Sequence, residues 1–112
     1  PSLPQPIDVT DADFAQVVEA SALPVVVDFW AEWCEPCRVM SAYAAFLAAD
    51  FAGRVLVTAL DVDENPAVAE RYQIMGLPTL LFVCGGVEVG RVVGVTAYDD
   101  LKRQVEGLLA IG

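Results

Sequence analysis

Hydrophobic residues fall along the chain in short blocks that alternate between the period of a strand and the period of a helix. Apolar runs, which are typical of strands covered on both faces, occur at 25–29, where Asp28 is the exception, and at 55–62 and 80–84. A short edge strand is predicted at 7–9, and Gly85-Gly86 predicts a hairpin into a last strand at 87–93.

Apolar residues at helical spacing predict four helices, at about 10–20, 34–51, 66–72 and from Thr96 onward. Thr10 or Asp11 can cap the first helix, and Thr96 can cap the last. Strand–helix–strand units imply parallel neighbours, and the hairpin implies antiparallel ones. We therefore expect an α/β fold with a mixed sheet and helices on both faces.

The chain has 112 residues, and one domain is expected for this length. Three prolines within 1–6 predict an extended N-terminal arm, and 7–112 are predicted to form a single domain. No apolar run reaches the roughly 20 residues that a membrane helix needs.

The charge balance limits the partners that the protein can have. Sixteen acidic and six basic residues give a formal net charge of −10 at pH 7. Nucleic acids and anionic membranes require a basic surface, so neither is expected as a partner. The acidity can serve solubility or can steer charged partners, and the sequence leaves both interpretations open.

Cysteine use narrows the chemistry further. There are three cysteines and no histidine, which fits neither a disulfide framework nor a four-ligand zinc site nor a Cys–His dyad. Sparse cysteines and no recognisable signal peptide favour a cytoplasmic protein. The chain opens at Pro1 rather than Met, which leaves open whether residues precede it.

Cys34 and Cys37 lie where a buried strand is predicted to meet the longest helix. A helix N-terminus favours negative charge and so stabilises a thiolate, which is the nucleophilic form of cysteine. Cys37 comes one helical turn later and can close a disulfide, while Pro36 fits the first turn. The alternatives are a structural disulfide and two buried thiols.

Several stretches together resemble the thioredoxin family. They are Val-Asp-Phe-Trp-Ala-Glu-Trp-Cys at 27–34, Pro36-Cys37, 63–66, Gly-Leu-Pro-Thr at 76–79, and Gly94. The resemblance runs from about Ile7 to the C-terminus. It implies the thioredoxin fold, a three-layer α/β/α arrangement with a central five-stranded mixed sheet flanked by four helices. It also implies a thiol-disulfide oxidoreductase that reduces protein disulfides, carries electrons and maintains cell redox homeostasis.

The resemblance assigns roles to individual residues. Cys34 would be the exposed attacking thiol, Cys37 would resolve the mixed disulfide, and Asp28 would exchange a proton with Cys37. The other interpretation of Asp28 is a structural carboxylate whose hydrogen bonds are satisfied. The resemblance implies no bound cofactor. It also implies a monomer that acts on disulfide-containing client proteins and is re-reduced by thioredoxin reductase.

By the same resemblance Pro78 is a cis proline facing the cysteines, in a shallow substrate groove formed by Trp33, Gly76, Leu77, Pro78, Gly94 and Val95. Trp30, Glu35 and Pro36 would tune the site, although core packing explains Trp30 equally well. Glu35 replaces the usual glycine, and its carboxylate should oppose a thiolate at Cys34. Ala59 stands where the family often has a lysine near Asp28.

Cys84 lies six residues after Pro78, about 20 Å along its strand at roughly 3.3 Å per residue. That distance is too great for a resolving thiol, so a small buried or half-buried side chain is favoured over a regulatory thiol. Two rival functions remain: a disulfide oxidase or isomerase of an oxidising compartment, and a binding module that keeps the fold without turnover. Reduction potential tests the first, and detectable disulfide turnover tests the second.

Overall fold

The described part of the chain contains five strands, one at each position that the sequence predicted. In the computed structural model, which describes residues 3–111, they are β1 Ile7–Asp8, β2 Val25–Trp30, β3 Leu56–Asp61, β4 Thr79–Cys84 and β5 Val87–Val93. They form one sheet in the order β1-β3-β2-β4-β5. β1, β3 and β2 run parallel, whereas β4 is antiparallel to β2 and to β5. The predicted mixed sheet is confirmed.

The predicted hairpin between β4 and β5 turns at Gly85-Gly86. Both glycines have positive φ, 59° and 80°. This is the left-handed region that a two-residue hairpin turn requires and that glycine adopts without strain.

Helical segments cover both faces of the sheet, so the three-layer arrangement is confirmed. They are a short π-type helix Ala15–Glu19, and the α-helices α1 Cys37–Asp50, α2 Pro66–Arg71 and α3 Tyr98–Ile111. On one face α1 and α3 bury residues that include Met40, Leu47 and Leu101. On the other face Phe14, Val18 and Val68 pack from the π-type helix region and α2.

The caps predicted for the first and last helices are not confirmed. The Thr10 hydroxyl accepts a hydrogen bond from the Asp13 N–H at 3.3 Å, but this bond closes a turn ahead of the helix, which begins at Ala15 and has no side-chain cap. Asp11 does not cap that helix: its carboxylate instead accepts from the Ala67 and Val68 N–H groups at 3.0 and 2.9 Å, and so caps α2. The Thr96 prediction is wrong, because the Ala97 carbonyl accepts the first bonds of α3, from Asp100 and Leu101.

The predicted start of the longest helix at Cys34 is also wrong. α1 begins at Cys37, and Pro36 precedes it as the N-cap with φ −64° and ψ −18°. The N–H groups of Cys37 and Arg38 bond three residues back, to the carbonyls of Cys34 and Glu35. Because this tighter turn precedes the helix, Cys34 lies just ahead of α1.

Two further predictions concern membrane-spanning helices and the division of the chain into an arm and a domain. Among residues 3–111, no helix combines the length and apolar character required to cross a membrane. The division into an arm at 1–6 and a domain at 7–112 stays a prediction.

Candidate functional site

A disulfide between Cys34 and Cys37 lies at the end of the central strand β2. Their Cα atoms are 5.4 Å apart. Both residues are largely covered, since Cys34 is 6% and Cys37 is 2% exposed. The expectation of an exposed Cys34 therefore does not hold in this disulfide form, although Cys34 is the more accessible of the two.

The N-terminus of α1 contributes to the electrostatic environment of the two cysteines. Unpaired N–H groups in the first turn of a helix carry partial positive charge, which stabilises a nearby thiolate. Cys34 lies three residues ahead of α1, and its carbonyl accepts from the Cys37 N–H at 3.2 Å. Cys34 therefore lies beside the N-terminal turn of α1.

Asp28 is buried on β2, the strand that leads to the cysteines. It is 1% exposed, and the Ser41 hydroxyl donates to its Oδ2 at 3.1 Å. Its Oδ1 is buried and has no hydrogen-bond partner among the described residues. Desolvation raises the pKa of the Asp28 carboxyl to about 6, and the Ser41 hydrogen bond opposes the shift in part. A carboxyl with this pKa can accept and donate a proton near neutral pH.

Among residues 3–111, no lysine or arginine forms an ion pair with this buried carboxylate. In the strand register Asp28 is opposite Ala59 of β3 and Leu80 of β4. A cavity of about 290 Å³ lies beside it, lined by Gln5, Pro6, Asp8, Asp28, Trp30, Ser41 and Ala59. Because Ala59 presents only a methyl group there, burial dominates the environment of Asp28.

The segment before β4 approaches the cysteines. The Leu77-Pro78 peptide bond is cis, as the resemblance implied. Leu77 packs against the buried cluster formed by Ala31, Cys34 and Cys37. The Gly94 N–H donates to the Pro78 carbonyl at 2.8 Å, which brings the end of β5 beside this loop. Gly94 has φ of 88°, a conformation that favours glycine.

The two tryptophans occupy different surroundings. Trp33 is 69% exposed, and its indole N–H donates to Asp63 at 2.9 Å. Trp30 is half-buried and packs against the cysteine cluster. Val95, which follows Gly94, is exposed as expected for a rim residue.

Glu35 has a partner that the sequence analysis missed. Arg38 lies 3.7 Å from it as an i,i+3 ion pair, and both side chains are largely in solvent, 75% and 83% exposed for Arg38 and Glu35. Ser41 was not predicted either. Its position could have indicated it, because it lies four residues after Cys37 and therefore on the same face of α1. The hydrogen bond between Trp33 and Asp63 joins residues 30 positions apart, and no local sequence pattern predicts it.

The remaining candidate groups lie elsewhere. Within residues 3–111, no cluster of three or more His, Cys, Asp or Glu side chains could hold a metal ion. Cys84 is a half-buried free thiol at the end of β4, and it packs against the core beneath α1 and α3. This is the half-buried environment that the sequence analysis favoured.

A cysteine pair between a central strand and a helix, with a cis proline loop beside it, defines a thiol-disulfide oxidoreductase of the thioredoxin fold. A family model described as Thioredoxin matches residues 5–107. Thioredoxins of Staphylococcus aureus strains Mu50, MW2 and N315 are each 43% identical to this chain over 100 residues, which cover 89% of this chain and 94% of theirs. The chain belongs to the thioredoxin family, and its activity is protein thiol-disulfide exchange.

Proposed function

We propose that the chain is a cytoplasmic protein-disulfide reductase in which Cys34 attacks, Cys37 resolves and Asp28 moves the proton. The observation that carries this proposal is the Cys34–Cys37 disulfide together with a buried Asp28, whose pKa is about 6 and which Ser41 of α1 contacts. A thiol pair performs the exchange, and a carboxyl that titrates near neutral pH can activate the less accessible thiol.

The reaction has two exchange steps. The Cys34 thiolate attacks a substrate disulfide, forms a mixed disulfide and expels one substrate thiolate, which takes up a proton. The Cys37 thiol then gives its proton to the Asp28 carboxylate, and the resulting thiolate attacks the Cys34 sulfur. The Cys34–Cys37 disulfide forms, and the second substrate thiolate leaves and is protonated. Two electrons have passed from the protein to the substrate.

Substrate is proposed to bind in extended form against the loop before β4. The backbone of Leu77 would hydrogen-bond the substrate by β-strand addition. Trp33, Gly76, Pro78, Gly94 and Val95 would form the walls of the groove. The contact of Leu77 with the cysteine cluster and the Gly94–Pro78 hydrogen bond support this placement.

The partners follow from family membership. Thioredoxin reductase would return the disulfide to the dithiol, disulfide-containing proteins would be the clients, and no cofactor would be bound. We propose a monomer with an arm at 1–6 and a single domain at 7–112.

The test is reduction of a model disulfide protein, measured with and without a thioredoxin reductase. Cys34→Ser should abolish turnover because the nucleophile is gone. Cys37→Ser should accumulate protein joined to substrate through Cys34, detectable by mass spectrometry. Turnover by Cys37→Ser at the parent rate would overturn the assignment of roles. A potential well above that of cytoplasmic reductants would favour an oxidase or isomerase instead.

A further inference from the structure

Ser41 lies between the cysteine pair and Asp28, which are the two parts of the proposed site. It lies on α1 one turn after Cys37, and its hydroxyl donates to Asp28 Oδ2 at 3.1 Å. Two cavities share lining residues here. One, of about 440 Å³, is lined by both cysteines, and the other is the cavity of about 290 Å³ beside Asp28. Ser41 and Trp30 line both of them.

The two oxygens of Asp28 have unequal surroundings. Oδ2 accepts the Ser41 hydrogen bond, whereas Oδ1 is buried with no partner among the described residues. A carboxylate oxygen already bound to a hydroxyl proton is the poorer proton acceptor of the two. Oδ1 is therefore the atom left to take a proton.

We propose that Ser41 is a positioning residue for the proton exchange between Asp28 and Cys37: it holds Oδ2 and leaves Oδ1 as the accepting atom. The inference rests on the proposed role of Asp28. In the resolving step the Cys37 proton passes to Oδ1, the Cys37 thiolate attacks Cys34, and the carboxyl later returns its proton to solvent. Both cavities are large compared with the roughly 30 Å³ that one water occupies in the liquid, so solvent has room to carry the proton.

Other charged groups lie around this exchange. Those lining the two cavities, besides Asp28 and the cysteines, are Asp8 from β1, Glu32 from the loop after β2, and Arg38 from α1. The strands flanking Asp28 contribute Ala59 and Leu80, which do not titrate. Asp8 and Glu32 are thus the neighbouring carboxyls whose charges must be separated from that of Asp28.

The experiment follows oxidation of the reduced protein by a saturating disulfide peptide in stopped flow, read through tryptophan fluorescence from pH 5 to 9. At saturation the rate reports resolution by Cys37. Loss of one hydrogen bond to the ionised carboxyl should move the midpoint of the rate profile up by about one pH unit. Ser41→Ala should therefore be roughly fivefold slower at pH 6 and unchanged at pH 8.

Three variants test whether the shift of the rate profile comes from loss of the Ser41 hydroxyl. Ser41→Thr keeps the hydroxyl and should restore the parent profile. Ser21→Ala removes a hydroxyl that bonds only to Leu23 and should leave the profile unchanged. Asp8→Asn should also leave the midpoint in place.

A double-mutant cycle decides the outcome. In an Asp28→Asn background, Ser41→Ala should have no further effect on the profile. If Ser41→Ala acts equally with and without Asp28, or leaves the midpoint of the Asp28-dependent profile in place, the inference about Ser41 is overturned while the role of Asp28 stands. If Asp28→Asn itself leaves rate and profile unchanged, the proposed function of Asp28 fails instead. Infrared titration of the Asp28 carboxyl gives an independent reading of the same shift.

Discussion

Asp28 is costly to the fold because burial removes water from its carboxylate, and one hydrogen bond from Ser41 replaces only part of that solvation. No cation lies opposite it in the sheet, where Ala59 and Leu80 are its neighbours. The same desolvation raises its pKa to about 6. A property that assists proton transfer near neutral pH therefore lowers stability.

Asp28→Asn should stabilise the fold, and the gain should grow with pH. The folded-state pKa is raised from 3.8 to about 6. The carboxyl therefore destabilises the fold progressively as pH rises above the unfolded value, and fully above the folded one. The gain should be about 0.5 kcal/mol at pH 4 and about 3 kcal/mol at pH 8. Urea unfolding at both pH values measures it, and an equal gain at both would contradict the raised pKa.

Glu35 is the residue between the two cysteines, and its charge should make the protein a slightly stronger reductant. A carboxylate near Cys34 disfavours the thiolate and hence the reduced form. The ion pair with Arg38 and the exposure of both groups weaken the effect, so we expect a change on the order of 10 mV.

Glu35→Gln should therefore raise the reduction potential at low salt, and the difference should fade at high salt. Glu35→Gly removes the charge and also frees the backbone, so comparison of the two variants separates electrostatics from loop geometry. Glu106→Gln, an exposed site on α3, is the charge-matched control. A glutathione redox titration measures all three, and a fall in potential for Glu35→Gln would refute the electrostatic account.

At the scale of elements, regular patterns were predictable from sequence and their ends were not. Apolar runs placed β2, β3 and β4 correctly, because a central strand must be covered on both faces. The start of α1 was missed by three residues because a tight turn at 34–36 precedes it, and this depends on backbone hydrogen bonds that no hydrophobic period encodes.

Long-range polar contacts were also out of reach. Asp11 reads as a local cap, yet it caps α2, whose first bonded N–H is 56 residues away. Ser41 is a half-buried polar residue on the side of α1 that faces β2, and only the fold shows that it contacts Asp28. Site residues that belong to a motif could therefore be predicted from the sequence. Hydrogen-bond partners that come from another element could not.

Arg91 joins two elements and should stabilise the loop that leads to Pro78. Its guanidinium bonds both carboxylate oxygens of Glu88 at 2.7 Å, and the carbonyls of Tyr72 and Gln73 after α2. Arg91→Gln should lower the free energy of unfolding by about 1–2 kcal/mol and speed amide exchange over 72–76. Arg103→Gln breaks an exposed pair of the same spacing with Asp100 and should change little.

The pH dependence of this effect has a definite sign. The hydrogen bond from Arg91 is the main cause that lowers the pKa of Glu88. A lowered folded-state pKa gives stability that is present above the unfolded value and is lost as pH falls. The difference between Arg91→Gln and the parent should therefore shrink in acid, and a difference that grew there would exclude the ion pair as its source.

The molecule as a whole carries a large negative charge. Sixteen acidic and six basic residues give −10, so most carboxylates have no cation to pair with. Their mutual repulsion opposes the compact state and increases as pH rises from 4 to 8. This repulsion lowers the free energy of unfolding as pH rises, and so does the buried carboxylate of Asp28. An experiment must therefore separate the two effects.

Salt should separate them. Raising NaCl from about 0.01 to about 1 M shortens the Debye length from roughly 30 to 3 Å, which screens exposed charges and leaves a desolvated one almost unaffected. At pH 8 the parent should therefore become more stable to urea as NaCl rises, while the increment from Asp28→Asn should stay constant. Urea is the denaturant because guanidinium would itself screen the charges. If the increment instead disappeared in salt, Asp28 would owe its cost to repulsion by other carboxylates such as Asp8, and its raised pKa would not come from burial.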